Sequence, residues 1–224
     1  LPVVLMDGAI LYDPVNNTFP YRCELPHDQA RELAQQIRAA GLDCFFNTIV
    51  EDSVLIFHDP LRTEAARRVK EQLRRSPYRN YLCRPLPADT PVAYLMAVGP
   101  MEVVEAARSA LAPGADAGQY RLLCYPSDEY PGWGYLKVYH RQATKLNTVE
   151  VLRRQKGYDR VRTIGSVAGA YDVCVPDAGH DAAVRCLKEE YERPYLPGLG
   201  DITRIFRKQS DKTCENMQKN GPQR

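Results

Sequence analysis

Long apolar runs are missing from this chain of 224 residues. None approaches the roughly 20 residues a membrane helix needs, so no membrane span is expected. No basic stretch followed by an apolar run opens the sequence, so no signal peptide is expected and the chain reads as cytoplasmic. Charge of one sign is also scarce: 30 Lys and Arg face 28 Asp and Glu, a net charge of +2. That is too near balance to point to nucleic acid or a membrane surface. Cys-x-x-Cys is absent, and the seven cysteines are an odd number set beside apolar neighbours, as in "DCFF", "LLCY" and "DVCV". They read as buried free thiols in a reducing compartment. The four histidines show no His-x-x-x-His spacing, which argues against zinc. Neither a P-loop nor a Gly-x-Ser-x-Gly elbow occurs. Asn16-Asn17-Thr18 fits a glycosylation sequon that nothing secretory supports.

What is present is an ordinary globular composition, 44% hydrophobic and 26% charged, with enough length for a sizeable core. Strand-like and helix-like segments alternate. "PVVLM" and "AILY" read as short strands around Gly8, and "PHDQARELAQQIRAAG" sets Ala30, Leu33, Ala34 and Ile37 on one helical face. "DCFFNTI" and "SVLIFH" predict a hairpin across Glu51-Asp52, and "LRTEAARRVKEQLRR" a helix. "VAYLMAVG", "QYRLLCYP" and "GYLKVYH" read as strands, and "MEVVEAARSAL" as a helix. "TKLNTVEVLRRQKG" is a helix stopped by Gly157; "VRTIGS" and "YDVCVPDAG" are short strands; "HDAAVRCLKEEYE" and "DITRIFRKQ" are helices. The expected class is α/β. Residues 21–133 predict an antiparallel sheet with helices on one face, residues 134–209 a parallel sheet, and residues 210–224 a polar tail.

Chemistry has few places to sit. Lys145 lies where a loop enters a helix, whose free N–H groups and positive dipole end favour an anion such as phosphate; by default it reads as a solvated surface lysine. Gly165 and Ser166 end a strand, where open parallel sheets bind ligands or simply turn. Asp7, Asp13, Asp172 and Asp177 sit near apolar strand ends, but no Asp-x-Asp pair exists and each reads as a turn residue by default. No metal-ligand set is predicted. Tyr125, Tyr130, Trp133, Tyr135 and Tyr139 cluster around one hairpin, as a substrate pocket or as cross-strand packing.

The order of three segments resembles the Cof-type branch of the haloacid dehalogenase-like (HAD) phosphatases, with its subclass IIB cap. "MDGAILYDPVNNTFPYRCELPHDQARELAQQIRAAG" is similar to the family's exit from core to cap, through a hairpin into the first cap helix. "GYLKVYHRQATKLNTVEVLRRQKG" resembles the strand, loop and Lys-bearing helix that return to the core. "YDVCVPDAGHDAAVRCLKEE" is similar to the late strand, turn and helix. The likeness spans nearly the whole chain and rests on order and spacing.

The resemblance implies a partial Rossmann-like core from residues 1–20 and 134–209 plus an α+β cap of residues 21–133, and Mg²⁺-dependent hydrolysis of small phosphorylated metabolites such as sugar phosphates. It implies an aspartate nucleophile in an Asp-x-Asp pair, a Ser or Thr and a Lys on the phosphate, and a late acidic loop on Mg²⁺. Lys145 matches the family lysine. Asp7 and Gly8 fall at the core-to-cap turn, where relatives carry Asn-Gly. Ser166, after Gly165, stands where the first late aspartate belongs; Asp177 replaces the Asn of a Gly-Asn-Ala turn, and Asp172 lies between them. The strand with Asp-x-Asp would precede Leu1 in this register. A second register sets Leu5 on the nucleophile and Asp7 on the second aspartate. Either way the chain as it stands is expected to be catalytically silent, a binder of a phosphorylated metabolite or of a protein, with a homodimer covering its incomplete sheet.

Overall fold

A computed structural model describes residues 2–76, 79–165, 171–175 and 182–192. The chain divides into two compact units, parting after Gly157.

The first unit opens with a three-stranded antiparallel sheet, β1 (Val3–Leu5), β2 (Ile10–Asp13) and β3 (Thr18–Arg22). Helix α1 (His27–Ala39) follows and buries the four residues its spacing predicts, Ala30, Leu33, Ala34 and Ile37. Strands β4 (Cys44–Val50) and β5 (Ser53–His58) form the expected hairpin. Its two turn residues, Glu51 and Asp52, both have positive φ, 49° and 62°, the conformation whose twist suits a tight hairpin. Helix α2 (Glu64–Leu73) crosses to β6 (Asn80–Cys83), which runs parallel to β5. Then come β7 (Tyr94–Pro100), α3 (Met101–Asp116), β8 (Tyr120–Pro126), β9 (Trp133–His140) and α4 (Lys145–Lys156).

Six strands make one sheet in the order β6-β5-β4-β7-β9-β8. All its pairings but β5–β6 are antiparallel. Side chains alternate between two apolar layers. Cys44, Phe46, Leu95, Ala97, Leu136 and Val138 pack with α1 and α3. Phe45, Tyr94, Met96, Val98 and Tyr139 share the other layer with Ala65, Ala66 and Val69 of α2 and with the N-terminal turn. Helices are therefore not confined to one face as the sequence suggested: a parallel β5-α2-β6 crossover carries α2 over the opposite side. Strand β9 extends the sheet past residue 133, where the sequence reading had ended it. It is paired from Trp133 to Tyr139 with β7 and from Gly134 to His140 with β8.

In the second unit β10 (Ile164–Gly165) and β11 (Val173–Cys174) pair in parallel, and α5 (Ala182–Glu192) follows. The predicted helix "DITRIFRKQ" and the polar tail lie outside the described residues.

Candidate functional site

The opening turn between β1 and β2 is left-handed at three successive residues: Met6 at φ 51°, Asp7 at 53° and Gly8 at 98°. Only glycine adopts this freely, and each of the other two costs about 1–2 kcal/mol. The turn is over-determined by its surroundings. The Tyr139 hydroxyl donates to Asp7 Oδ2 at 2.7 Å, and Lys137 Nζ stands 3.7 Å from the same oxygen. Arg121 Nη2 donates to the Asp7 carbonyl at 3.1 Å, and its guanidinium lies over the Tyr139 ring. Thr148 Oγ1 donates to the Gly8 carbonyl at 2.6 Å. The Tyr139 phenol is buried and bonded to a carboxylate, and both effects push its pKa up.

Helix α4 is seated on this turn. A Cβ on Gly8 would overlap the backbone of Thr144 and Lys145, so only glycine lets the turn meet the helix start so closely. Thr144 is the N-cap; its hydroxyl accepts from the Asn147 N–H at 3.1 Å. Lys145 is the first helical residue and is exposed. Gly157 closes the helix at φ 67°. The fold thus brings the adjacent Asp7 and Gly8 together with Lys145, far from them in sequence. Asp7, half-buried, is bound into the turn as a structural residue. Asp13 is a turn residue as well: its carboxylate accepts from the Val15 and Asn16 N–H groups.

Gly165 and Asp172 belong to the second unit. A Cβ on Gly165 would overlap the Tyr171 ring, so packing accounts for this glycine. The Asp172 carboxylate accepts from Thr163 N and Oγ1, both at 2.9 Å, tying the two short strands together. Ser166 and Asp177 lie outside the described residues.

The sequence reading did not single out Lys137 or Arg121, nor Cys23 with His140. Alternation in "GYLKVYH" puts Tyr135, Lys137 and Tyr139 on one face, a signal that was there to find. Lys137 Nζ lies over the rings of Tyr94 and Tyr125, and three aromatic pairs stack across this region: Tyr94–Tyr139, Tyr125–Tyr135 and Tyr130–Trp133. The cluster is cross-strand packing with a lysine laid on it.

Among the described residues no group of three or more His, Cys, Asp or Glu side chains could hold a metal ion. Asp7 is already bonded to Tyr139 and faces Lys137. The described residues therefore do not fit Mg²⁺, and no chemical step is assigned to one. Among them no helix is long and apolar enough to cross a membrane.

Comparison with solved structures finds the same fold in HAD-like hydrolases. The Thermotoga maritima protein TM0651 superposes with a TM-score of 0.52 at 15% identity, over 72% of this chain and 57% of its own. A haloacid dehalogenase-like hydrolase from Bacteroides thetaiotaomicron superposes at 0.51 and 15% identity, over 70% of this chain and 54% of its own. The fold is thus HAD-like, a mixed α/β arrangement, and the chain spans little more than half the length of these relatives. No protein-family model and no curated protein sequence matches it.

Proposed function

We propose that this chain supplies the cap and the phosphate-holding helix of a HAD-like phosphatase acting on small phosphorylated metabolites such as sugar phosphates. By itself it holds the phosphate group without cleaving the ester. The observation that carries the reading is the seating of Gly8 on the start of α4, which fixes a helix N-terminus with an exposed Lys145 beside the strained turn. Free N–H groups, the helix dipole and an ammonium act together on a dianion. Phosphoryl transfer in the family also needs an aspartate nucleophile, and no Asp-x-Asp pair occurs in this sequence.

The test is paired. Calorimetry with a hexose monophosphate should give heat with the wild-type chain and about tenfold weaker binding in Lys145→Ala, the loss of one charge-assisted contact. The same chain with Mg²⁺ and p-nitrophenyl phosphate should release no nitrophenol above the blank. Mg²⁺-dependent hydrolysis that disappears in Lys145→Ala would contradict the non-cleaving part. Absence of any binding heat would contradict the whole reading.

A further inference from the structure

A second cluster also holds the start of this helix. Cys23, just after β3, is buried, with its Sγ 3.0 Å from His140 Nδ1 at the end of β9. The Gln142 backbone N–H donates to that same Nδ1 at 3.2 Å. Asn147 Nδ2 of α4 donates at 3.1 Å to the hydroxyl oxygen of Tyr21, two residues before Cys23. A backbone N–H only donates, so Nδ1 must be an unprotonated acceptor. The Cys23 S–H then donates to the imidazole lone pair, which also takes the Gln142 N–H.

Residues 141–144 are the turn leading into α4. Ala143 N–H donates to the His140 carbonyl at 2.9 Å and Thr144 N–H to the Gln142 carbonyl at 2.8 Å. Asn147 Nδ2 reaches that same Gln142 carbonyl at 3.0 Å. Gln142 is therefore held at its N–H by His140 and at its C=O by the helix cap.

From this geometry we infer that His140 is a proton-operated latch. Neutral, its Nδ1 holds the turn before α4; protonated, it releases Gln142 and loosens the helix start that carries Lys145. A proton on Nδ1 leaves the Gln142 N–H without an acceptor and sets an N–H against the Cys23 S–H. Cys23 could turn its proton away, but a backbone amide cannot.

The surrounding groups favour the neutral ring. Burial and then Arg141 hold His140 below the ordinary histidine value. Strand β8 contributes Tyr120, its ladder partner, and Arg121 nearby. Strand β3 and the residues after it contribute Tyr21, Cys23 and Glu24, and burial raises the pKa of all three. The first turn of α4 has no acidic residue. The Glu24 charge bears on Cys23, whereas the His140 ring itself answers to burial and Arg141. With the folded pKa depressed, the latch is closed above the ordinary value of about 6.5 and opens as pH falls through the lower folded value.

The link to ligand binding rests on the function proposed above, so the test separates the two. In ¹H–¹⁵N NMR of the full chain, the amides of Gln142, Lys145 and Asn147 should shift with the His140 ring, with one midpoint. Their exchange protection should fall about tenfold below it. In His140→Asn, whose amide oxygen accepts the Gln142 N–H but does not titrate, these shifts should vanish. In Cys23→Ala the midpoint should rise, because the S–H bond favours the neutral ring. Ring titration without any movement of the α4 amides, or amide shifts unchanged in His140→Asn, overturns the latch.

Sulfate, a dianion throughout this range, provides the ligand arm. The latch predicts severalfold weaker binding below the His140 midpoint found by NMR than at about pH 7.5, in the wild type only. Binding that strengthens on acidification through His140 would make the imidazolium a simple attracting charge and overturn the latch. Absence of sulfate binding at both pH values would count against the anion site, while the amide shifts still decide the latch.

Discussion

Asp7 and Tyr139 carry much of the local order of the first unit. The phenol has no exposure and its bond to Asp7 is 2.7 Å long, so Tyr139→Phe leaves the carboxylate with only Lys137 at 3.7 Å. A hydrogen bond to a charged group contributes about 1.5–3 kcal/mol, and Tyr139→Phe should lower unfolding stability by that order in a urea titration. Two histidines and the buried Asp43 contribute to the acid side of the stability curve. Burial holds both His58 and His140 below their ordinary value, so their contribution is full above about 6.5 and is lost as pH falls. Burial alone would raise Asp43, yet hydrogen bonds from Thr63 and Arg62 together keep it low. Its contribution is lost only at more acid pH, as it titrates below the usual carboxylate range. Thermal melts should therefore fall in two stages, the first removed by His58→Gln combined with His140→Asn. At this scale the sequence disclosed little. Lys145 was visible because a helix start is a local pattern, whereas Lys137 and Arg121 act through a register that joins strands far apart in the chain.

Among the elements, legibility followed pattern length. Helix α1 was readable from its buried face, and the β4–β5 hairpin from its acidic turn. Strand β3 escaped because Pro20 interrupts it, and β6 because "NYLC" is too short to alternate. Helix α3 runs to Asp116, five residues beyond the apolar run that predicted it, through Pro113 and Gly114. Tyr120 stabilises that extension: its hydroxyl donates to the Leu111 carbonyl at 2.7 Å, and the bare Gly114 makes room for its ring. At the end of α4, Gly157 sits at φ 67° with open space where a Cβ would go. Gly157→Ala should therefore act through the backbone alone and lower stability by about 1 kcal/mol, read from the denaturation midpoint at constant slope.

For the whole molecule, the division after Gly157 has a direct consequence. Both apolar layers of the six-stranded sheet are built from residues before it. A fragment of residues 1–157 should keep the helical and sheet signals of its part and unfold cooperatively; a non-cooperative melt would mean that the second unit completes the first. The HAD-like fold was legible at this scale because segment order survives when individual motifs do not. Which face each helix would cover was not, since a parallel crossover is set by sheet order rather than by any local run of residues. The central claim is that a helix end seated on Gly8 holds a phosphate group that this chain does not cleave. The most direct measurement is calorimetry with a hexose monophosphate and Mg²⁺, with inorganic phosphate assayed in the cell afterwards. The account predicts binding heat in the wild type, about tenfold weaker binding in Lys145→Ala, and no phosphate released. No heat, or Mg²⁺-dependent phosphate release lost in Lys145→Ala, would contradict it.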